Sequence, residues 1–330
     1  MLAFVSRRIM ESEPAPARSS HPARIIFFND RGLRAGWRLA IYCGMIFALL
    51  QAVQRIGAFV VKQSGGAHAA PQLPDFLKAV FQAIGELVIF LVVLFFAWVM
   101  SRIEHRKVGV YGLPLQRSIV PTFFSAYLLW GFLPLTVLLL VLRALGVFYF
   151  GHFSPLNIQI LGWAVLWWVV FLLVGLFEEF FFRGYGQYTL TDGLGFWPAA
   201  IITSLVFARA HMGNTGETKI GIIAVICFGL FAAATLWRTG SLWMAVGAHA
   251  GWDWGQSFFY GVNDSGFQAP GHLLNPHTQG PDWLSGGPVG PEGSVVTLIL
   301  WVFMTVAVIV YYRPRTPALV ITPASSPSSY

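Results

Sequence analysis

LLVGLFEEFFFRG, Leu172–Gly184, sets two adjacent carboxylates and an arginine inside a run that is otherwise leucine, valine and phenylalanine. A run of that composition belongs in a bilayer, where ionisable side chains are costly and mark functional sites. Two later apolar segments carry polar groups of their own: FARAH, with Phe207 and His211, and HAGWD, with His249 and Asp253. The three segments are expected to meet in one metal-dependent hydrolytic site within the membrane.

The composition fits that reading. The 330 residues are 56% hydrophobic and only 11% charged, with a mean hydropathy of +0.65. Soluble domains carry about a quarter charged residues. The expected fold is therefore all-α, a polytopic transmembrane bundle of about eight spans at roughly 20 residues per crossing. The net charge of +7 does not call for nucleic acid, because the cations cluster in loops beside apolar runs, the usual orientation signal. Cys43 and Cys227 are far apart with no CxxC, so they read as small apolar residues and not as a disulfide or thiolate site. Basic and Pro-rich sequence follows Met1 in place of a cleavable apolar core, and the C-terminal PASSPSSY has no prenylation motif.

Along the chain, residues 1–25 read as a disordered basic tail, 26–315 as the bundle with its catalytic core at about 160–260, and 316–330 as a second disordered tail. Arg24–Arg38 mixes aromatic and basic residues, as suits an interfacial segment. Apolar runs place spans at about 37–61, 82–101, 120–143, from Ile158, 197–212, 219–237, 241–260 and 294–312. A long Gly/Pro-rich loop separates the last two. Basic residues, among them Arg34, Arg38, Arg102, Arg106, Lys107, Arg117, Arg183 and Arg238, fall on one set of segments; Lys62, Lys78 and Lys219 fall on the other. That asymmetry puts both termini in the cytoplasm.

Helix geometry assigns the polar residues. Glu179 and Arg183 are four apart and share a face, whereas Glu178 is turned about 100° away and is free to enter a cavity. Glu178 thus reads as general base or acid, with Glu179 and Arg183 as its supports. The plainer alternative is a Glu–Arg pair that only binds two helices. His249 and Asp253 again share a face and suit a divalent cation, taken as zinc, or a polar substrate. His211 adds a second imidazole, with Phe207 one turn before it. A lone intramembrane histidine is more often a helix-to-helix hydrogen bonder. Joint burial of two His, one Asp and two Glu is costly without a shared partner, and that tips the reading to a site. A common site also requires the Glu178 helix to run on past Arg183, to about Leu190, with TDGLG as the turn.

EExxxR, FxxxH and HxxxN/D on successive helices are the pattern of the CAAX protease and bacteriocin-processing family, also called the Abi family or type II CAAX prenyl endopeptidases. The chain resembles that family through Glu178-Glu179-xxx-Arg183, Phe207-xxx-His211 and His249-xxx-Asp253, over roughly residues 160–260. The resemblance implies an intramembrane metalloendopeptidase whose glutamate-activated water attacks a peptide bond of a membrane-associated or lipidated peptide. Glu178 and His211 would position and deprotonate the water; His249 and Asp253 would bind metal or stabilise the oxyanion. The catalytic set implied is Glu178, Glu179, Arg183, His211, His249 and Asp253, with Glu178, His211, His249 and Asp253 as metal ligands. It further implies the cell membrane of a bacterium, with a chamber open to the cytoplasm. Asp253 stands where the family more often has Asn. Arg209 has two candidate partners, Asp253 and a lipid phosphate. The alternatives are a non-catalytic scaffold or bacteriocin self-immunity protein of the same family, and a transporter using these groups as an ion relay. His272 and His277 are expected to be solvated, and Glu86 to lie at the interface.

Overall fold

Apolar runs of this length can satisfy their backbone inside a bilayer only as helices, and the computed structural model of the protein is built from them. It describes residues 26–29, 32–63 and 73–312; the expected tails, 1–25 and 316–330, lie outside the described residues. A short antiparallel pair, β1 Phe28–Asn29 with β2 Gly32–Leu33, leads into the first helix. The helices are α1 Ala35–Gln63, α2 Asp75–Ile103, α3 Ile119–Ala144, α4 Ile158–Leu194, α5 Phe196–His211, α6 Lys219–Thr239, α7 Trp243–Trp254 and α8 Val295–Tyr311. Five of them (α1, α2, α3, α4 and α6) are long and apolar enough to cross a membrane. By contrast α5, α7 and α8 have 16, 12 and 17 residues. The architecture is a polytopic helical bundle, with five crossings carried by length and composition.

Two layers of loops close the ends. At one end, Arg38 of α1 reaches Glu104 after α2 at 2.8 Å and Asp192 of α4 at 2.7 Å. Arg106 joins the same Asp192 at 2.8 Å, and Tyr185 donates to Glu104 at 2.6 Å. At the other end β3 Phe148–Phe153 pairs antiparallel with β4 Leu274–Thr278 inside the Gly/Pro-rich loop. That sheet joins strands more than a hundred residues apart, which no local pattern announces. Gly266 donates to Val289 within the same layer. The 261–293 segment is thus a folded roof. Asp264 in it accepts from Ser257 at 2.9 Å, and Glu292 accepts from the Ser265 amide at 2.7 Å.

α4 runs on past Arg183, as a common site requires, but farther than Leu190. It passes through a π-helical turn at Phe180–Gly186, where Gly184 leaves helical geometry with ψ −105°, and ends at Leu194. Within TDGLG the first four residues stay helical, and only its last, Gly195 at φ 84°, makes the break. The added turn delivers Asp192 to the two arginines. One basic residue differs from expectation: Arg183 is fully buried in the bundle and not in an end loop. Arg143 sits at the β3 end, its guanidinium 4.6 Å from the Tyr149 ring centre.

Glycines set the seat of α7. A Cβ at Gly247 would overlap the Phe123 carbonyl and one at Gly251 the Tyr127 carbonyl, both on α3. This small-xxx-small face lets the two backbones touch.

Two outcomes follow from these end layers. Asp192→Ala leaves Arg38 with Glu104 alone, and is expected to cost about 3 kcal/mol, the low end for breaking a buried pair, read as a lowered unfolding midpoint in detergent. In the roof, burial pushes the carboxyls of Asp264 and Glu292 well up, reinforced by Asp253 for the first and by Asp264 for the second. Their contribution to stability is therefore full below the ordinary carboxylate pKa of about 4 and is lost as pH rises through the raised values. Asp264→Asn with Glu292→Gln should flatten the fall of thermal stability above about pH 4.

Candidate active site

Glu178 and Glu179 close the regular part of α4, just before its π-helical turn. Such turns recur at functional sites because they re-aim side chains without ending the helix. Glu179 is fully buried, and its Oε1 serves two partners: Arg183 Nη1 at 3.3 Å and His249 Nδ1 at 2.9 Å. With Nδ1 held there, the His249 ring turns Nε2 to Asp253 Oδ2 at 3.4 Å and to Glu178 Oε2 at 3.6 Å. The Phe228 ring meets the imidazole edge to face, centres 4.8 Å apart. One histidine is thus fixed in orientation by a carboxylate that does not reach the chamber.

The FARAH segment joins through Phe207. Its ring lies 4.2 Å under the Arg183 guanidinium and 4.4 Å from the His211 ring, whose Nδ1 is 2.9 Å from the Phe207 carbonyl. Phe207 is therefore a spacer between the first and second motifs: it covers the buried cation and props the imidazole. Arg209 points elsewhere and is exposed, so it is no partner of Asp253.

Glu178, His211, His249 and Asp253 line one chamber of 270 Å³. Phe207, Phe228, Trp252 and Trp301 give it an aromatic wall, and Asn214, Asp264, Ser265 and Glu292 close it from the loops. Those loops belong to the layer opposite the Arg38–Asp192 cluster. An opening at the basic end was expected; the chamber lies toward the other end, because the roof residues at that end form its walls.

Several of these residues carry no mark in the sequence. Asp264, Ser265 and Glu292 come from a Gly/Pro-rich stretch that reads as a plain loop, and Asn214 from a short turn. Gln82 of α2 also lines the chamber. Glu86, one turn on, is half-buried in α2 and near enough to Glu178 for their charges to interact. The signal was available: a carboxylate eleven residues into an apolar helix. His272 and His277 stay outside, the first held by the Ala269 carbonyl at 2.7 Å and the second exposed. Cys43 and Cys227 are free, half-buried thiols.

Among the described residues, no three His, Cys, Asp or Glu side chains are placed as they stand to hold a metal ion. His249 has Nδ1 on Glu179, which leaves Nε2 facing Asp253 and Glu178 at 3.4 and 3.6 Å, the nitrogen that a carboxylate-held imidazole offers to a cation. The arrangement brings the polar residues of the three segments to one place. It offers two imidazoles and two carboxylates around water-sized space, with a buried Glu–Arg pair behind them.

No curated protein and no solved structure matches the chain. Residues 160–255 match the family model for Rce1-like proteins, described as type II CAAX prenyl endopeptidase Rce1-like. That segment begins in α4 and ends just past Asp253, so it contains all three motifs and every side chain of the Glu179–His249 network. By that match and by those motifs, residues 160–255 of this integral membrane protein are similar to the Rce1-like type II CAAX prenyl endopeptidases.

Proposed function

We propose that the protein is an intramembrane endopeptidase in which Glu178 activates a water against the peptide bond of a membrane-associated substrate. The observation that carries this is the convergence of Glu178, His211, His249 and Asp253, from three helices, on one chamber inside an otherwise apolar bundle. Hydrolysis needs a base within reach of a water and a donor for the oxygen that gains charge. Glu178, side chain 21% exposed to the chamber, takes the first role, with His211 as its partner on the water. His249 takes the second: Glu179 holds its ring so that Nε2 faces the reacting carbonyl. Asp253, beside that nitrogen, keeps a proton on it. Arg183 balances Glu179 and is a positioning residue.

The substrate reading follows from where the chamber lies. Basic residues mark the Arg38–Asp192 end as cytoplasmic, and the chamber is walled from the opposite layer. The favoured substrate is therefore a peptide reached from the bilayer or the far side, in preference to a prenylated tail presented in the cytoplasm. The host membrane is taken to be a bacterial cell membrane.

Glu178, His211, His249 and Asp253 are also the residues that would hold a divalent metal such as zinc, whose chemistry would be to acidify a bound water. Among the described residues, the donors as placed form no ligand set.

Glu178→Ala in native membranes is expected to lower cleavage of a membrane-anchored peptide library by about 10²–10⁴-fold, the usual worth of a general base, with expression and unfolding midpoint unchanged. Full cleavage by that variant would remove Glu178 from the mechanism; absence of cleavage by the parent protein would favour the scaffold or immunity role. Incubation with EDTA and then 1,10-phenanthroline is expected to leave the parent's rate intact. Loss that added zinc restores would hand water activation to a cation.

A further inference from the structure

Helix α2 holds two polar side chains that the proposed reaction leaves unused. Its stretch 79–100 is apolar except for Gln82 and Glu86. The two are four apart and share a face. Gln82 lines the chamber, and Glu86 lies near enough to Glu178 for their charges to interact. Ala79 and Ala83 on the same side pack against Trp167 and Phe171 of α4, the helix that bears Glu178. Both polar side chains are half-buried. Among the described residues neither makes a hydrogen bond or an ion pair, and their polar atoms are not sealed off. At about 1.5 Å per residue, Glu86 stands about 16 Å along α2 from Asp75, at membrane depth. An amide and a carboxylate kept there without a protein partner are costly and mark a place where something binds.

The chemistry of such a partner follows from hydrolysis inside a bilayer. A membrane-borne segment satisfies its backbone as a helix. The bond to be cut has to leave that helix, which frees main-chain N–H and C=O groups among apolar side chains. Gln82 and Glu86 stand about 6 Å apart along α2, close to the roughly 6.7 Å between alternate residues of an extended strand. An ionised Glu86 only accepts, whereas Gln82 both donates and accepts. We propose that Gln82 and Glu86 form the edge on which the unwound substrate lies, beside Glu178. Glu86 accepts from one main-chain N–H, and Gln82 pairs with the main chain two residues away. Both are binding residues, selective for an extended backbone over a helical one. That role rests on the endopeptidase reading and deepens it.

The test reads binding apart from cleavage. The full chain in phosphatidylcholine nanodiscs is titrated with an acetylated, amidated Leu/Ala peptide that carries a central Gly-Pro break. Analogues replace one main-chain N–H at a time by an ester oxygen, which removes a donor and keeps the shape. Affinity is read from the saturable rise in unfolding temperature, since a ligand that binds only the folded state raises its stability. At one position near the break the ester is expected to weaken binding by about tenfold, as loss of a hydrogen bond to a charged group does. In Glu86→Leu the all-amide peptide should bind about tenfold more weakly, with no further loss from that ester. Glu86→Gln, which keeps a carbonyl acceptor, should restore the ester sensitivity. Gln82→Leu should erase the sensitivity at a second position, two residues from the first. Leucine suits a membrane span, so both leucine variants should unfold no earlier than the parent when peptide is absent. An ester series that is flat in the parent, or an ester penalty unchanged in Glu86→Leu, overturns the binding edge. Ester sensitivity without any cleavage keeps the edge and removes the endopeptidase reading; cleavage with a flat series does the reverse.

Discussion

A fully buried arginine is the constraint around which the bundle is arranged. Arg183 is closed to solvent on every side, and an unpaired guanidinium in such a place would be untenable. Glu179, one turn before it, neutralises the charge, and Phe207 lies under the cation at 4.2 Å. Glu179 then has one oxygen committed and uses it a second time, on His249. A single ion pair thus ties α4 to α5 through an aromatic face and to α7 through an imidazole. This pair orients His249, which in turn meets Asp253 and Glu178.

The division of labour between the two glutamates follows from the same pair. Residues one apart on a helix point about 100° from each other. With Glu179 fixed on the buried side, Glu178 has to face the chamber. An adjacent pair of carboxylates thereby separates into one that is sealed and structural and one that is wet and available. The π-helical turn that follows carries the chain past Gly184, so that Asp192 reaches the arginines of the end cluster. Stability at that end and geometry at the chamber are therefore carried by one helix.

Much of this was legible in the residues. Length and hydropathy gave the order of the helices to within a few positions, since apolar runs have few ways to satisfy their backbone in lipid. The i, i+4 spacings of Glu179 with Arg183 and of His249 with Asp253 gave the faces. A common site required α4 to continue beyond Arg183, and it does. What spacing cannot give is contact between segments distant in the chain. The β3–β4 pair, the roof carboxylates Asp264 and Glu292, and the approach of Glu86 to Glu178 all depend on tertiary packing. TDGLG looks like a turn by composition, yet Asp192 is kept helical by two arginines whose positions no local rule supplies.

The side on which the chamber lies carries the most weight for biology. Cations in loops orient a membrane protein through the cost of moving them across, and here they gather beside Arg38, Arg106 and Asp192. The chamber is walled from the opposite layer, by loops that hold Asp264 and Glu292 but few cations. A peptide entering there would meet carboxylates first and the aromatic wall next.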